Sequence, residues 1–412
     1  MIRHLIKLCW NRKRANALIM LEIFVCFVVL TAVTTGGAYY LANWLQPLGF
    51  DYRDVYQVEI DYGRYEGASN EERQAILTRM QHMLREVATL PAVESAAMAT
   101  NSPYSTSTSS TTMKLQGKEE DVHLGTSSLQ LLDVLRMEVE RGRWLEREDL
   151  AQTWLPIVIN RKLAQARFGD ADPLGQPLDP DPEPEEGEVE LRVVGVMTDF
   201  RRNGELAAAP FVAITLDRRL DLDGLVRLED IEEYPPTTLL VRVKPGTGVA
   251  FESQLLQNLN RLAPEWSFNV NSLASRRDAI LKMYWLPLLV LALIAGFLVL
   301  MVGLGLLGVL WQNVTRRTSE LGLRRALGGT ARAVRGQILG ELLVITTIAV
   351  GLGSLVALQF PILDIFSFLR LPIYLAGIAA ALLIIYAVVT LCRLYPSWLA
   401  TRIHPGTALQ HE

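Results

Sequence analysis

Cysteine is scarce in this chain of 412 residues. Only Cys9, Cys26 and Cys392 occur, so residues 27–391 hold no disulfide and must fold by their core alone. Histidine is equally thin: His4, His82, His123, His404 and His411 are scattered, and no H-E-x-x-H or paired-cysteine spacing offers a metal site. No G-x-x-x-x-G-K-[ST] loop is present to cradle phosphates, and no G-x-S-x-G elbow to raise a nucleophile. These absences argue against catalysis by this chain alone, so the chain is expected to be no enzyme and to carry no cofactor and no metal.

What is abundant is apolar side chain. Half the residues are hydrophobic although 20% are charged, and the mean hydropathy is +0.21. Four runs carry no charge: Ile23 to Phe50, Met283 to Thr315, Leu342 to Leu363 and Leu371 to Cys392. A bilayer core of roughly 30 Å needs about 20 helical residues, so each run is long enough to span. The first is too long for the roughly 7 to 15 apolar residues of a cleaved signal peptide. Tyr39, Tyr40 and Trp44 near its end read as interface anchors of a retained helix.

The net charge of −4 conceals a split. Residues 46–283 hold 26 Lys and Arg against 39 Asp and Glu, and the rest of the chain holds 14 against 5. Eleven of those 14 fall in two places: Arg3, Lys7, Arg12, Lys13 and Arg14 before the first run, and Arg316, Arg317, Arg324, Arg325, Arg332 and Arg335 between the second and third. Basic residues flanking spans mark the cytoplasmic side. The expectation is an α-helical membrane protein of the inner (plasma) membrane with four spans, one followed by three, both termini cytoplasmic, and a large α+β extracytoplasmic domain between the first two. The segments read as a basic N-terminal stretch 1–16, spans 17–45, 284–311, 337–360 and 371–394, the outer domain 46–283, a cytoplasmic loop 312–336, a short outer loop 361–370 and a cytoplasmic tail 395–412.

Within the outer domain, VYQVEIDY (55–62) alternates as a strand. SNEERQAILTRMQHMLREVATL (69–90) opens with a Ser cap and places Ile76, Met80, Met83, Leu84 and Val87 at helical spacing. A strand at 92–100 follows Pro91. The pattern returns as LLVRV (239–243), a helix through 251–263 and WSFNVNSL (266–273). Two such units, 55–100 and 237–273, suggest a subdomain of split βαβ type, with residues 101–236 inserted as a second, β-rich lobe. The insertion contains STSTSSTT (105–112), read as a flexible connector, and DADPLGQPLDPDPEPEEGEVE (170–190), read as an exposed hairpin loop because it lacks the spaced ligands of a calcium loop.

RRTSELGLRRALGG (316–329) is the most informative stretch. Ser319 can cap a short helix, Glu320 suits its positive end, Arg324 and Arg325 suit its negative end, and Gly328 with Gly329 can close it. Leu323, Ala326 and Leu327 form an apolar face at i, i+3, i+4 opposite the arginines. On composition alone the segment could equally be a loop whose arginines touch anionic headgroups. Two acids stand in or at the spans: Glu22, read as pairing with Arg12 or Arg14, and Glu341, read as pairing toward Arg332 or Arg335. GLGLLG (303–308) and GLG (351–353) read as sites of close helix contact.

Glu320, Leu321, Gly322, Leu323, Arg324, Arg325, Ala326, Leu327 and Gly328 resemble the E-[IL]-G-[LIV]-R-[RK]-A-[LI]-G signature that follows the second span in MacB/FtsX-type ABC transporter permeases. RGRWLEREDL (141–150), PIVINRKLAQARFGDADPLGQPL (156–178), ELRVVGVMTDFR (190–201) and the tail residues Tyr395, Pro396, Ser397, Pro405, Ala408 and Leu409 are similar to further patterns of that family. The resemblance implies a MacB-like periplasmic core domain joined to an FtsX-like permease region. It also implies that Ser319 to Gly328 form a coupling helix seated in an ATP-binding subunit. With no phosphate loop in this sequence, that ATPase is expected as a separate chain in two copies, beside a second permease copy or a paralogue. A periplasmic adaptor, an outer-membrane channel and membrane lipid complete the expected partners, and nucleic acid is not among them. The implied function is mechanotransmission driving efflux of a drug, peptide or lipid-linked substrate. The alternatives are a non-transporting signal relay that activates cell-wall hydrolases or senses peptides, and a stand-alone receptor.

Overall fold

The computed structural model of the protein describes residues 13–105, 109–178, 190–220, 234–248, 250–316, 331–363, 365–366 and 368–402. The chain divides into two units, one of residues 1–42 with 284–412 and the other Asn43–Met283.

The first unit is helical. Helices α1 (Lys13–Trp44), α6 (Leu273–Arg316), α7 (Ala331–Ile362) and α8 (Leu371–Arg402) each contain a stretch long and apolar enough to cross a membrane. Ile23, Phe27, Ile345, Ala349, Ala381 and Ile385 form its interior. Leu289, Leu293, Phe297, Leu300 and Leu304 run along one exposed stripe of α6, which in water would be costly and in lipid is not. Small residues let the helices approach. A β-carbon on Gly353 would lie 2.5 Å from the Phe27 ring, one on Gly305 would lie 3.0 Å from a Glu22 carboxylate oxygen, and Thr34 donates to the Gly377 carbonyl at 2.7 Å. Gly308 and Gly351 have nothing within 4 Å, so only part of the two glycine runs serves as contact. Tyr40 stacks edge-on with Tyr284 and donates to its carbonyl at 3.1 Å, and Tyr39 meets Phe368.

The domain unit is built on a ten-stranded sheet. Strands β1 (Val55–Asp61), β2 (Val93–Ala99), β9 (Thr238–Val243) and β10 (Ser267–Ser272) lie in the order β10-β1-β9-β2, all antiparallel. With α2 (Asn70–Ala88) and α5 (Ala250–Leu262) this is the split βαβ arrangement: each helix joins two strands that are kept apart by a strand of the other unit. The helices cover one face, where Met80, Met83, Leu84, Val87, Leu255 and Leu259 meet Val58, Ile60, Leu239 and Val241. Leu77 is fully buried and Ile76 only partly, so the expected α2 face shifts by one residue at its first position while Met80, Met83, Leu84 and Val87 are buried as expected. A full capping box starts α2, Ser69 accepting from the Glu72 amide while the Glu72 side chain accepts from the Ser69 amide at 2.8 Å.

The described strands β3 (Thr111–Leu115), β4 (Lys118–Ser127), β5 (Val139–Gly142), β6 (Leu155–Asn160), β7 (Leu191–Met197) and β8 (Phe211–Leu216) extend the same sheet. The seam is narrow: β2 and β4 share one ladder pair, Ala99 with Ser127. Thr100 and Thr126 exchange further bonds across it, and Ser128 donates its amide to the Met98 carbonyl at 2.9 Å. An unpaired β2 edge would leave its amides and carbonyls open; β4 closes it. The short helix α3 (Leu131–Leu135) packs on β2 and β9, and α4 (Arg161–Phe168) packs on β6, β7 and β8. Residues 179–189 of the acidic Pro-rich tract and residues 106–108 of the Ser/Thr tract lie outside the described residues.

Candidate functional site

The segment expected to couple, Ser319 to Gly328, lies outside the described residues, as does the side chain of Glu341. Its place in the chain is the link between α6, which ends at Arg316, and α7, which starts at Ala331. Glu22 is half-buried on α1 with its carboxylate against Gly305 of α6. The side chains of Arg12 and Arg14, its expected partners, are outside the described residues. Among the described residues no group of three His, Cys, Asp or Glu stands together as a metal site.

The domain unit contains a cluster that spacing did not reveal. Arg201, just after β7, is 1% exposed, yet a guanidinium carries five donors that must be met when buried. Four carbonyls accept from its two terminal nitrogens: Nη1 donates to Asn43 at 2.7 Å and Gln46 at 2.9 Å, and Nη2 to Glu205 at 2.8 Å and Ala207 at 2.7 Å. Asn43 is one of the last residues of α1, where carbonyls lack intrahelical partners and a cation is favoured. The Arg201 amide donates to Leu48 at 2.9 Å, and the Asn43 side chain donates to Leu206 at 3.4 Å.

Glu205, whose carbonyl accepts from Arg201, turns its carboxylate to Arg277 in the second turn of α6. The Arg277 guanidinium also lies over the Trp44 ring at 5.9 Å and the Tyr52 ring at 5.0 Å. Burial works against the charge of Arg277, but the bond to Glu205 outweighs it and its pKa is raised. Tyr104 packs on Phe50 and Tyr52 beside this group, and burial, reinforced by the charge of Glu205, pushes its phenol far up. Two glycines let the loop close down. Gly49 and Gly204 have φ of +80° and +89°, and a β-carbon on Gly49 would strike the Asp199 carbonyl.

A cavity of about 650 Å³ opens nearby between Gln46, Phe50, Asp51, Arg136, Glu140 and Arg161. Several of its charges are paired: Arg161 with Glu140, and Arg136 with Asp51 and with Glu94 outside the lining. The cluster around Arg201 was invisible to sequence reasoning because arginine is ordinarily an exposed residue. The pair Arg201–Arg202 directly after an apolar strand was the only trace.

Two family models match the chain. The MacB-like periplasmic core domain matches residues 17–257, and the FtsX-like permease C-terminal region matches residues 276–405. Among curated relatives, a macrolide export ATP-binding/permease protein MacB of Paracoccus denitrificans is 26% identical over 283 residues, covering 66% of this chain and 40% of that protein. A MacB of Azoarcus is 25% identical over 363 residues, 84% of this chain and 50% of that protein. The uncharacterized ABC transporter permease YvrN of Bacillus subtilis is 24% identical over 294 residues, 68% of each. The chain thus spans about 40% of the length of the first MacB proteins it matches. Among solved structures, the periplasmic region of MacB from Actinobacillus actinomycetemcomitans is 16% identical with a TM-score of 0.36, covering 57% of this chain and 97% of that one. With one family model on residues 17–257 and the other on residues 276–405, in one order along one chain, the protein belongs to the MacB/FtsX-type ABC transporter permeases.

Proposed function

We propose that this chain is a permease subunit that couples ATP hydrolysis by a separate ATP-binding subunit to movement of its extracytoplasmic domain, and that the movement drives export. The observation that carries this reading is the FtsX-like match over residues 276–405, which brackets the signature Glu320–Gly328. The matched MacB proteins bear the description of macrolide export ATP-binding/permease proteins, which supports export as the outcome; the cargo is proposed as a drug, peptide or lipid-linked molecule. The relay reading shares every step but the cargo; reconstituted vesicles given ATP separate the two by whether a substrate moves.

In the proposed cycle, two ATP-binding subunits close on ATP beneath two permease copies, and Ser319 to Gly328 move with them. The shift reaches the domain along α1 and α6, each of which runs from the helical unit into the domain unit. A differential affinity of about 5.5 kcal/mol takes a two-state equilibrium from 1:99 to 99:1, and nucleotide binding at two sites supplies energy on that scale. Both termini and the 312–336 loop are cytoplasmic in this scheme, by the distribution of basic residues. The orientation is tested with single cysteines in a cysteine-free background. A cysteine at Ser319 is expected to react with a membrane-impermeant maleimide only after cells are permeabilised, and one at Glu71 to react in intact cells. The reverse pattern overturns the reading.

A further inference from the structure

Motion carried by α1 and α6 enters the domain where its chain begins, Asn43–Gln46, and where it ends, Leu273–Met283. One loop, 199–207, touches both. Its contacts close a circuit: Arg201 binds the Asn43 carbonyl, the Glu205 carbonyl binds Arg201, the Glu205 carboxylate binds Arg277, and Arg277 lies over Trp44, the neighbour of Asn43. Removing any member opens the ring.

We propose that Arg201, Glu205 and Arg277 are positioning residues that clasp the two ends of the domain to each other, so that the domain follows α1 and α6 as one body instead of being drawn open between them. The proposal rests on the reading of those helices as carriers of motion. Three observations favour a clasp over ordinary filling of the interior. Arg201 spends its donors on carbonyls of two separated segments, 43–46 and 205–207. Glu205 contributes its backbone to one arginine and its side chain to the other, so the two ends are linked through one residue. Arg242, equally buried, differs: its acceptors Asp51, Arg53 and Val134 join the start of the domain to α3 and include no residue of 273–283, so it serves as the control for the far end.

Hydrogen–deuterium exchange on the full chain in lipid nanodiscs, without nucleotide, tests the clasp. The Arg201→Met variant is expected to speed exchange at least about tenfold in both 43–51 and 273–283, the size set by lost bonds to a charged group, with the β1, β4 and β8 amides unchanged. Faster exchange in 43–51 alone, or in neither end, overturns the clasp. So does an Arg242→Met variant that loosens the same two ends. If Arg201→Met does not fold, Glu205→Gln removes only the ion pair to Arg277 and is read by the same criterion: both ends loosen, or the proposal fails. Neither nucleotide nor an ATP-binding subunit is present, so the exchange pattern reads the clasp alone, and failure of the coupling reading would show separately, as ATP-binding subunit still retained by a Leu323→Asp chain.

Discussion

Asp149 is 1% exposed, in the short 3-10 turn Arg147–Ala151. Arg143 grips it with two bonds of 2.7 and 2.6 Å, and the Glu146 amide adds a third at 2.9 Å. Burial alone would raise its pKa; the Arg143 bonds and the Glu146 amide more than offset this and hold it below the ordinary aspartate value. The sign follows: a depressed carboxylate contributes stability that is complete above the unfolded value, near pH 4, and is lost as pH falls through the folded value. Asp149→Asn is therefore expected to cost about 2 kcal/mol at pH 7 and to flatten the fall in domain melting temperature below about pH 4. Equal acid sensitivity in the variant would contradict the assignment. In sequence, RGRWLEREDL showed a turn rich in charge but gave no sign of which acid is buried. The burial of Arg201, Arg202 and Arg242 was hidden for the same reason: a charged residue announces its charge, while the partners that make burial tolerable come from segments up to 190 positions away.

At the scale of elements, periodicity carried far. The alternation of VYQVEID and the helical spacing after Ser69 correspond to β1 and α2, and four apolar runs correspond to four helices able to span. The pairing of β4 with β2 did not show, since a strand's sequence records which face is buried and not which neighbour it has. Helix α6 begins at Leu273, within LASRRDAILKM, because nothing in that charged stretch interrupts a helix once the apolar run has nucleated it. At about 66 Å for 44 residues it exceeds a hydrocarbon core of roughly 30 Å. Glycine runs gave the contact level but not the residue. Gly353→Ala is expected to force the Phe27 ring aside and cost about 1–3 kcal/mol, whereas Gly351→Ala, with nothing within 4 Å, is expected to be neutral or slightly stabilising. Thermal unfolding of the two variants in detergent checks this; equal melting temperatures would contradict the α1–α7 packing.

At the scale of the whole molecule, one charge distribution and one short signature carry the function. The excess of acid in residues 46–283 and of base elsewhere orients the chain in the proposed scheme. The signature Glu320–Gly328, outside the described residues, is its proposed link to ATP. The membrane architecture and the family were legible because hydropathy and motif are local properties of sequence. The clasp was not, because it joins residues 43, 201, 205 and 277 through backbone carbonyls, which carry no side-chain identity. Capture of the ATP-binding subunit is the most direct test of the central claim. Tagged wild-type chain purified from its native membrane is expected to retain a polypeptide that photolabels with azido-ATP, and Leu323→Asp or Arg324→Glu to reduce that labelling at least about tenfold at equal recovery of chain. Undiminished labelling in both variants would contradict the account.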